Sequence, residues 1–512
     1  MPTLLPPILS STKSHLVTLP YLNKLFLLTS FYLTCSKFLP PSSESFFLSI
    51  PYHPSFPMIP KLVLASASPS TFLLFIFLAL CQPLISLSST TVTATSNASA
   101  GASTGGKPKP FILPLRTQKV SSLALPGPRN KLLFHHNVSL TVSLSVGTPP
   151  QNVSMVLDTG SELCWLLCNA TAGGPSFHPR ASSSYAPVRC SSATCRDGTR
   201  DLPIPASCDH ATSLCHVSLS YADASTSEGT LAADSFRLGQ STRLSTIFGC
   251  MASAYSSTSG GDGSTTAGLL GMNRGSLSFV TQTAIQRFSY CIAGGAATGV
   301  LLLGDAPPPF LMPLHYTPLV QISLPLPYFD RVAYTVQLDG IRVAAVLLPI
   351  PKSVLVPDHT GAGQTMVDSG TQFTFLLGAA YDALKAEFLR QTKGVLTVLN
   401  EPDFVFQGAF DLCFRIPAGA APPSWRLPAV TLMFRGGAEV RVAGERLLYR
   451  AAGEARGRDA VWCFTFGNSD LVPLSAYVIG HHHQQDVWVD YDLRNSRVGF
   501  APVHCAQAAQ RL

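Results

Sequence analysis

Apolar residues recur at every second position across Asn137–Gly147 (N-V-S-L-T-V-S-L-S-V-G), the period of a half-buried strand. Pro149 and Pro150 turn the chain. Met155, Val156 and Leu157 then form a short apolar run that predicts a buried strand, stopping abruptly at Asp158-Thr159-Gly160-Ser161. His216–Tyr221 and Gly229–Leu238 flank A-D-A-S-T-S-E and predict a β-hairpin with Tyr221 at the end of its first strand. Ala267–Gly271 and Leu301–Gly304 are short apolar strands closed by glycine. The best helical pattern is Ala379–Thr392, which sets Tyr381, Leu384, Phe388 and Leu389 at i, i+3, i+7 and i+8 between Gly378 and Gly394.

The second half repeats the first in outline. Met366–Val367 lead into Asp368-Ser369-Gly370-Thr371, and Tyr477-Val478-Ile479-Gly480 mirrors Ala267–Gly271. Asp158 precedes Gly271 by 113 positions and Asp368 precedes Gly480 by 112, so two related lobes with one acid each are expected. A carboxylate at the end of a buried strand is costly unless donors hold it. For Asp158 the expected donors are the amide of Gly160 and the hydroxyls of Thr159 and Ser161. One D-T-G alone reads equally well as a β-turn. Two such acids brought together would share a proton, the arrangement that allows one carboxyl to act as base and the other as acid.

Composition agrees with many short strands: 12% of the 512 residues are charged and 41 are proline. The net charge of +7 is carried by the leader. Residues 1–157 hold ten Lys/Arg and one acid, Glu44, whereas residues 158–512 hold 25 Lys/Arg and 27 Asp/Glu, so no nucleic-acid partner is inferred. Eleven of 13 cysteines lie between Cys164 and Cys505. Their spacing suits disulfides better than zinc, since C-x₂-C pairs are absent, and the odd count leaves a thiol over. Spacing does not give the connectivity.

Residues 1–57 carry no readable period. From Met58, a candidate start, Lys61, the apolar run Thr71–Cys81 and small residues at Ser86, Ser88 and Ser89 have the layout of a signal peptide over 58–87. The run is short of the ~20 apolar residues that span a bilayer, so no stable membrane anchor is expected. Residues 88–133, basic and acid-free, suit either a disordered linker or a propeptide whose cations neutralise carboxylates. The lobes are expected at 134–322, with a Cys-rich insertion at 164–215, and at 323–505, followed by a tail at 506–512 that has neither a hydrophobic anchor signal nor K-D-E-L. Asn97, Asn137, Asn152 and Asn169 head N-x-S/T sequons.

Together, D-T-G-S followed by Trp165, D-S-G-T in the second half, and Leu269-Leu270-Gly271 with Val478-Ile479-Gly480 resemble the pepsin-like aspartic proteases. The Cys-rich insertion, F-G-C at Phe248–Cys250 and S-Y-C at Ser289–Cys291 narrow the likeness to the plant nepenthesin-like branch. The resemblance implies an all-β dominated, bilobal fold with the active-site cleft between two related lobes. It implies an aspartic endopeptidase acting on polypeptides, favoured at acid pH, with Asp158 and Asp368 as the catalytic acids. Thr159, Gly160, Ser161, Ser369, Gly370 and Thr371 would support them. Tyr221 would sit on the flap, the hairpin that closes over substrate, with its hydroxyl on the indole N–H of Trp165; as bare residues both suit a core equally well. Cys413 and Cys463 are the implied disulfide. A secreted or endoplasmic-reticulum-lumen monomer without cofactor or metal is expected. The His481–His483 triplet, read as strand, offers at most two ligands on one face and is assigned to structure. Where nepenthesins have Y-G-D-G-S, this chain has Ala222 and Ala224 for the two glycines, which predicts a stiffer or reshaped flap. The alternative is a non-catalytic binder on the same fold, as in the plant xylanase inhibitors, which typically lose part of the acid pair.

Overall fold

The computed structural model describes residues 110–119, 138–168, 174–222, 225–239, 242–255, 266–304, 308 and 312–512. The signal-peptide, leader and most propeptide expectations, the sequons at Asn97, Asn137 and Asn169, and Ala224 of the flap lie outside these residues.

Strands dominate. In the first half, Val138–Val146 pairs antiparallel with Gln151–Asp158, which runs parallel to Gly268–Gly271 with Asp158 opposite Gly271. Trp165–Leu167 continues this sheet, and Thr242–Tyr255, Thr226–Leu238 and Leu214–Ser220 extend it into the flap hairpin. The second half builds the same core motif: Thr365–Val367 lies parallel to Tyr477–Ile479, beside Thr374–Leu376. In both halves the closing glycine lets the chain cross itself. A Cβ at Gly271 would stand 2.4 Å from the Glu162 carbonyl oxygen, and one at Gly480 would stand 2.1 Å from that of Phe373. The helix Gly378–Gln391 starts one residue before the expected segment and buries Tyr381, Leu384 and Phe388; Phe388 stacks on Phe464 at 4.4 Å.

One sheet joins the halves. Its strand order is His315–Pro318, Arg497–Pro502, Val487–Asp492, Arg287–Cys291, Gly299–Leu303 and Phe111–Lys119. Phe288 stacks on Tyr491 at 4.4 Å, and Tyr334 packs on the same ring. Burial of such aromatic side chains, at roughly 1.5–3 kcal/mol each, holds the halves together beneath the cleft. Phe111–Lys119 is a strand inside the 88–133 segment that the sequence reads as either linker or propeptide. It pairs with Gly299–Leu303 and then with Val138–Thr141, and Leu115 is buried.

Among the described residues five disulfides are formed: Cys168–Cys250, Cys190–Cys208, Cys195–Cys215, Cys291–Cys505 and Cys413–Cys463. Among the described residues Cys164 is the free thiol; it is buried, and burial pushes its ionisation up to about 12, so it is inert. No helix among the described residues is long and apolar enough to cross a membrane.

Candidate active site

Asp158 ends its strand on the cleft floor and is 6% exposed. The Gly160 amide donates to its Oδ1 at 2.8 Å and the Ser161 hydroxyl donates to its Oδ2. Asp368 follows the strand Thr365–Val367. The Gly370 amide donates to its Oδ1 at 2.8 Å, while the Thr371 amide (3.1 Å) and hydroxyl (2.6 Å) donate to its Oδ2. The two carboxyls face each other across the cleft floor, close enough that the charge of one acts on the other. Burial, and then the charge of Asp368, raise the ionisation of Asp158 well above the ordinary carboxyl range. The two loops approach so closely that a Cβ on Gly160 would meet Asp368 Oδ1 at 2.8 Å, and one on Gly370 would meet Asp158 Oδ1 at 2.2 Å.

Thr159 does not hold Asp158, contrary to the expectation from sequence. Its hydroxyl crosses to the other half, donating to the Val367 carbonyl (3.3 Å) and accepting from the Ser369 amide (2.9 Å). Ser369 returns the contact: its hydroxyl donates to the Leu157 carbonyl (2.9 Å) and accepts from the Thr159 amide (3.0 Å). Both residues are almost wholly buried. Donors for each carboxyl come instead from the residues two and three positions on, because the middle hydroxyl of each loop points away from its acid.

The flap hairpin ends at Ser220 and resumes at Thr226, with the Tyr221 amide donating to the Ser225 carbonyl (3.0 Å). The indole N–H of Trp165 donates to the Tyr221 hydroxyl at 2.7 Å, tying the hairpin to the strand that follows the first acid. Ala222 is exposed.

The two acids floor a cleft of ≈ 770 Å³. Its apolar walls include Tyr221, Phe329, Phe375 and Leu474. Leu202 and Ile204 join them from the Cys-rich insertion, pinned between Cys195 and Cys208. No sequence signal points to that contribution. Asp201, from the same insertion, pairs with Arg331 across to the second half at 3.4 Å. Glu162, directly after Ser161, also escapes a reading of the sequence. It is 5% exposed, and its Oε1 accepts from the Leu277 amide (2.7 Å) and the Ser276 hydroxyl (3.3 Å), so it braces the loop after Gly271. Burial raises its ionisation above the usual range.

The histidine triplet is one 3₁₀ turn, His481–Gln484, rather than a continuation of the strand. Gly480 ends the ladder, so the alternation of faces no longer applies. His483 lies between the Thr374 hydroxyl (2.7 Å) and the Thr465 hydroxyl (2.8 Å), and His482 is half-buried against Phe373. Burial holds His482 down at about 4 and His483 well below its ordinary value, so both pack as neutral rings.

Residues 140–305 match the family model for the xylanase inhibitor N-terminal region, and residues 333–502 match that for the C-terminal region. Aspartic proteinase PCS1 of Arabidopsis thaliana is 60% identical over 409 residues, covering 78% of this chain and 89% of that one. Aspartic proteinase nepenthesin-1 of Nepenthes gracilis is 30% identical over 372 residues, covering 71% and 77%. Among solved structures, edgp superposes with a TM-score of 0.56 at 20% identity, covering 79% of this chain and 98% of its own. Basic 7S globulin from soybean superposes at 0.54 and 21% identity, covering 77% and 96%; these two likenesses concern the fold alone.

Proposed function

The chain belongs to the plant nepenthesin-like branch of the pepsin-like aspartic proteases and is an aspartic endopeptidase acting on polypeptides, and from that premise we propose that Asp158 and Asp368 are its catalytic acids. The observation that carries the assignment is the close approach of each loop to the opposite acid, with each carboxyl cradled by its own glycine amide and hydroxyl. Two carboxyls held this close cannot both ionise cheaply, so the pair keeps one proton. Asp158 is the deeper acid and accepts two hydrogen bonds where Asp368 accepts three, so the proton rests on Asp158 in the free enzyme. Asp368 then takes a proton from the attacking water while Asp158 protonates the scissile carbonyl oxygen; as the C–N bond breaks, Asp368 gives its proton to the leaving nitrogen and Asp158 takes one back from a hydroxyl of the gem-diol.

Tyr221, tethered by Trp165, closes over the substrate in this reading, and the Thr159–Ser369 crossing fixes the spacing of the acids. The lobes are 134–322 and 323–505, preceded by an export signal at 58–87 and a propeptide at 88–133, within which Phe111–Lys119 pairs with the first lobe. The enzyme acts as a monomer in the extracellular space or the endoplasmic-reticulum lumen. The five disulfides support an oxidising compartment.

Peptide hydrolysis at acid pH by the processed protein tests the assignment. Asp158→Asn and Asp368→Asn are each expected to abolish cleavage. Undiminished cleavage by either would refute the pair, and no cleavage by the wild type at any acid pH would favour the non-catalytic binder.

A further inference from the structure

We propose that Gln484 is a positioning residue for the second acid: its side-chain amide, anchored by the Tyr290 hydroxyl, sets where Asp368 stands relative to Asp158. The inference rests on the assignment of these two residues as the catalytic pair.

Gln484 is the last residue of the 3₁₀ turn that follows Gly480, and it is fully buried. Its Nε2 donates to the Ile479 carbonyl at 2.7 Å and to the Asp368 carbonyl at 3.2 Å. Carbonyl oxygens only accept, so the amide nitrogen must face them and the amide oxygen must face the other way. There Oε1 accepts from the Tyr290 hydroxyl at 2.5 Å. Tyr290 lies on Arg287–Cys291 in the sheet shared by the two halves, and its hydroxyl is 3.0 Å from that of Tyr491 on the neighbouring strand. With the Tyr290 proton committed to Gln484, the Tyr491 hydroxyl is the donor of that pair. The result is a directed chain of donors from the shared sheet to the main chain of the second acid, each link polarising the next.

The peptide unit between Asp368 and Ser369 is thereby held on both edges. Its N–H donates to the Thr159 hydroxyl from the opposite half (2.9 Å), and its C=O accepts from Gln484. Among the described residues the first acid has no matching side chain. The Asp158 carbonyl accepts from the main-chain amide of Met272 at 2.8 Å. The near-twofold symmetry of the site is broken at this point, and the carbonyl of one acid is held by a removable side chain. A catalytic group displaced by about 1 Å loses on the order of 100-fold in rate.

Three variants test this. Gln484→Met keeps the length without donor or acceptor. Gln484→Glu keeps the acceptor for Tyr290 and, when protonated, can still donate one hydrogen bond to a carbonyl. Tyr290→Phe removes only the hydroxyl that orients the amide. Initial rates are normalised to folded protein by near-ultraviolet circular dichroism and compared across pH. Gln484→Met is expected to lose roughly 10- to 100-fold in kcat with KM within about threefold. Tyr290→Phe should lose less. Gln484→Glu should recover most of kcat at acid pH and lose it as the buried glutamic acid ionises, adding a transition absent from the wild-type profile. A purely structural role would lower the melting temperature and leave kcat per folded molecule and the pH profile unchanged. That result in Gln484→Met, or a Gln484→Glu profile identical to wild type, overturns the proposal. Failure of the acid pair itself registers separately, as activity retained in Asp368→Asn.

Discussion

Gly370→Ala puts the meeting of the two loops to its sharpest test. The backbone of Gly370 lies outside the left-handed region, so alanine brings no conformational strain and acts only through contact. Its Cβ would sit 2.2 Å from Asp158 Oδ1 and 2.5 Å from Cγ. Asp158 is bound by the Gly160 amide and the Ser161 hydroxyl and is 6% exposed, so it has little room to yield. Ordinary van der Waals contact begins at 3.4 Å, so the carboxyl or the loop must retreat by about 1.2 Å. A displacement of this size at a reacting group costs on the order of 100-fold, or about 2.7 kcal/mol of transition-state stabilisation. Gly160→Ala is milder: its Cβ would lie 2.8 Å from Asp368 Oδ1, a retreat of about 0.6 Å, for which a loss of about tenfold is expected. Gly174 is exposed, and a Cβ there would meet nothing within 4 Å, so it serves as the neutral alanine control. The assay is kcat and KM on a quenched fluorescent peptide at acid pH, alongside melting temperature. If Gly370→Ala keeps more than about a third of wild-type kcat/KM, or if Gly160→Ala is the more damaged variant, the stated geometry of the site is wrong.

Trp165→Phe removes the 2.7 Å donor to Tyr221; a neutral hydrogen bond is worth about 0.5–1.5 kcal/mol, so KM should rise roughly 2- to 12-fold with kcat nearly kept, and equal effects on both would argue against a tether. Because the ionisation of Asp158 is raised in the folded protein, the stability it contributes is complete below its ordinary value of 3.8 and is lost as pH rises through the raised value. Asp158→Asn should therefore melt a few degrees higher than wild type near pH 7 and no higher near pH 3, and calorimetry showing a loss at pH 7 would contradict this. His482 and His483 act in the opposite sense: held neutral, they cost stability as pH falls from 6.5 towards about 4, which sets an acid limit visible as a falling melting temperature. Replacing Cys413 and Cys463 together with alanine opens a link of sequence separation 50 and should cost about 4 kcal/mol in denaturant unfolding, with the catalytic parameters of the folded protein unchanged.

The paired D-x-G loops and the helix at 378–391 are readable because their signals are local: an apolar run that stops at an acid, and a helical period between glycines. Phe111–Lys119 carries no such signal. It contains Pro114, lies in an acid-free stretch, and becomes a strand by pairing with Val138–Thr141 and with Gly299–Leu303, the latter nearly two hundred residues away. The partners of the Thr159 hydroxyl are hidden for the same reason, since they lie 208 and 210 positions along the chain, whereas the nearest acid in sequence is the one it does not touch. The histidine triplet reads as strand only while the breaking effect of Gly480 on the residues after it is ignored. Gln484 offers no local cue at all, because its role depends on a tyrosine 194 positions earlier.

The sheet shared by the two halves also governs when the enzyme can come into being. A chain emerging from the ribosome has made both acids by residue 368, yet Arg287–Cys291 still waits for its neighbour Val487–Asp492, and Cys291 waits for Cys505. Tyr491, which packs on Phe288 and Tyr334, is likewise made only long after Asp368. Assembly of the site is thus deferred until residues 487–505 have been made, more than a hundred positions after the second acid, so synthesis of the two acids does not by itself give a finished active centre.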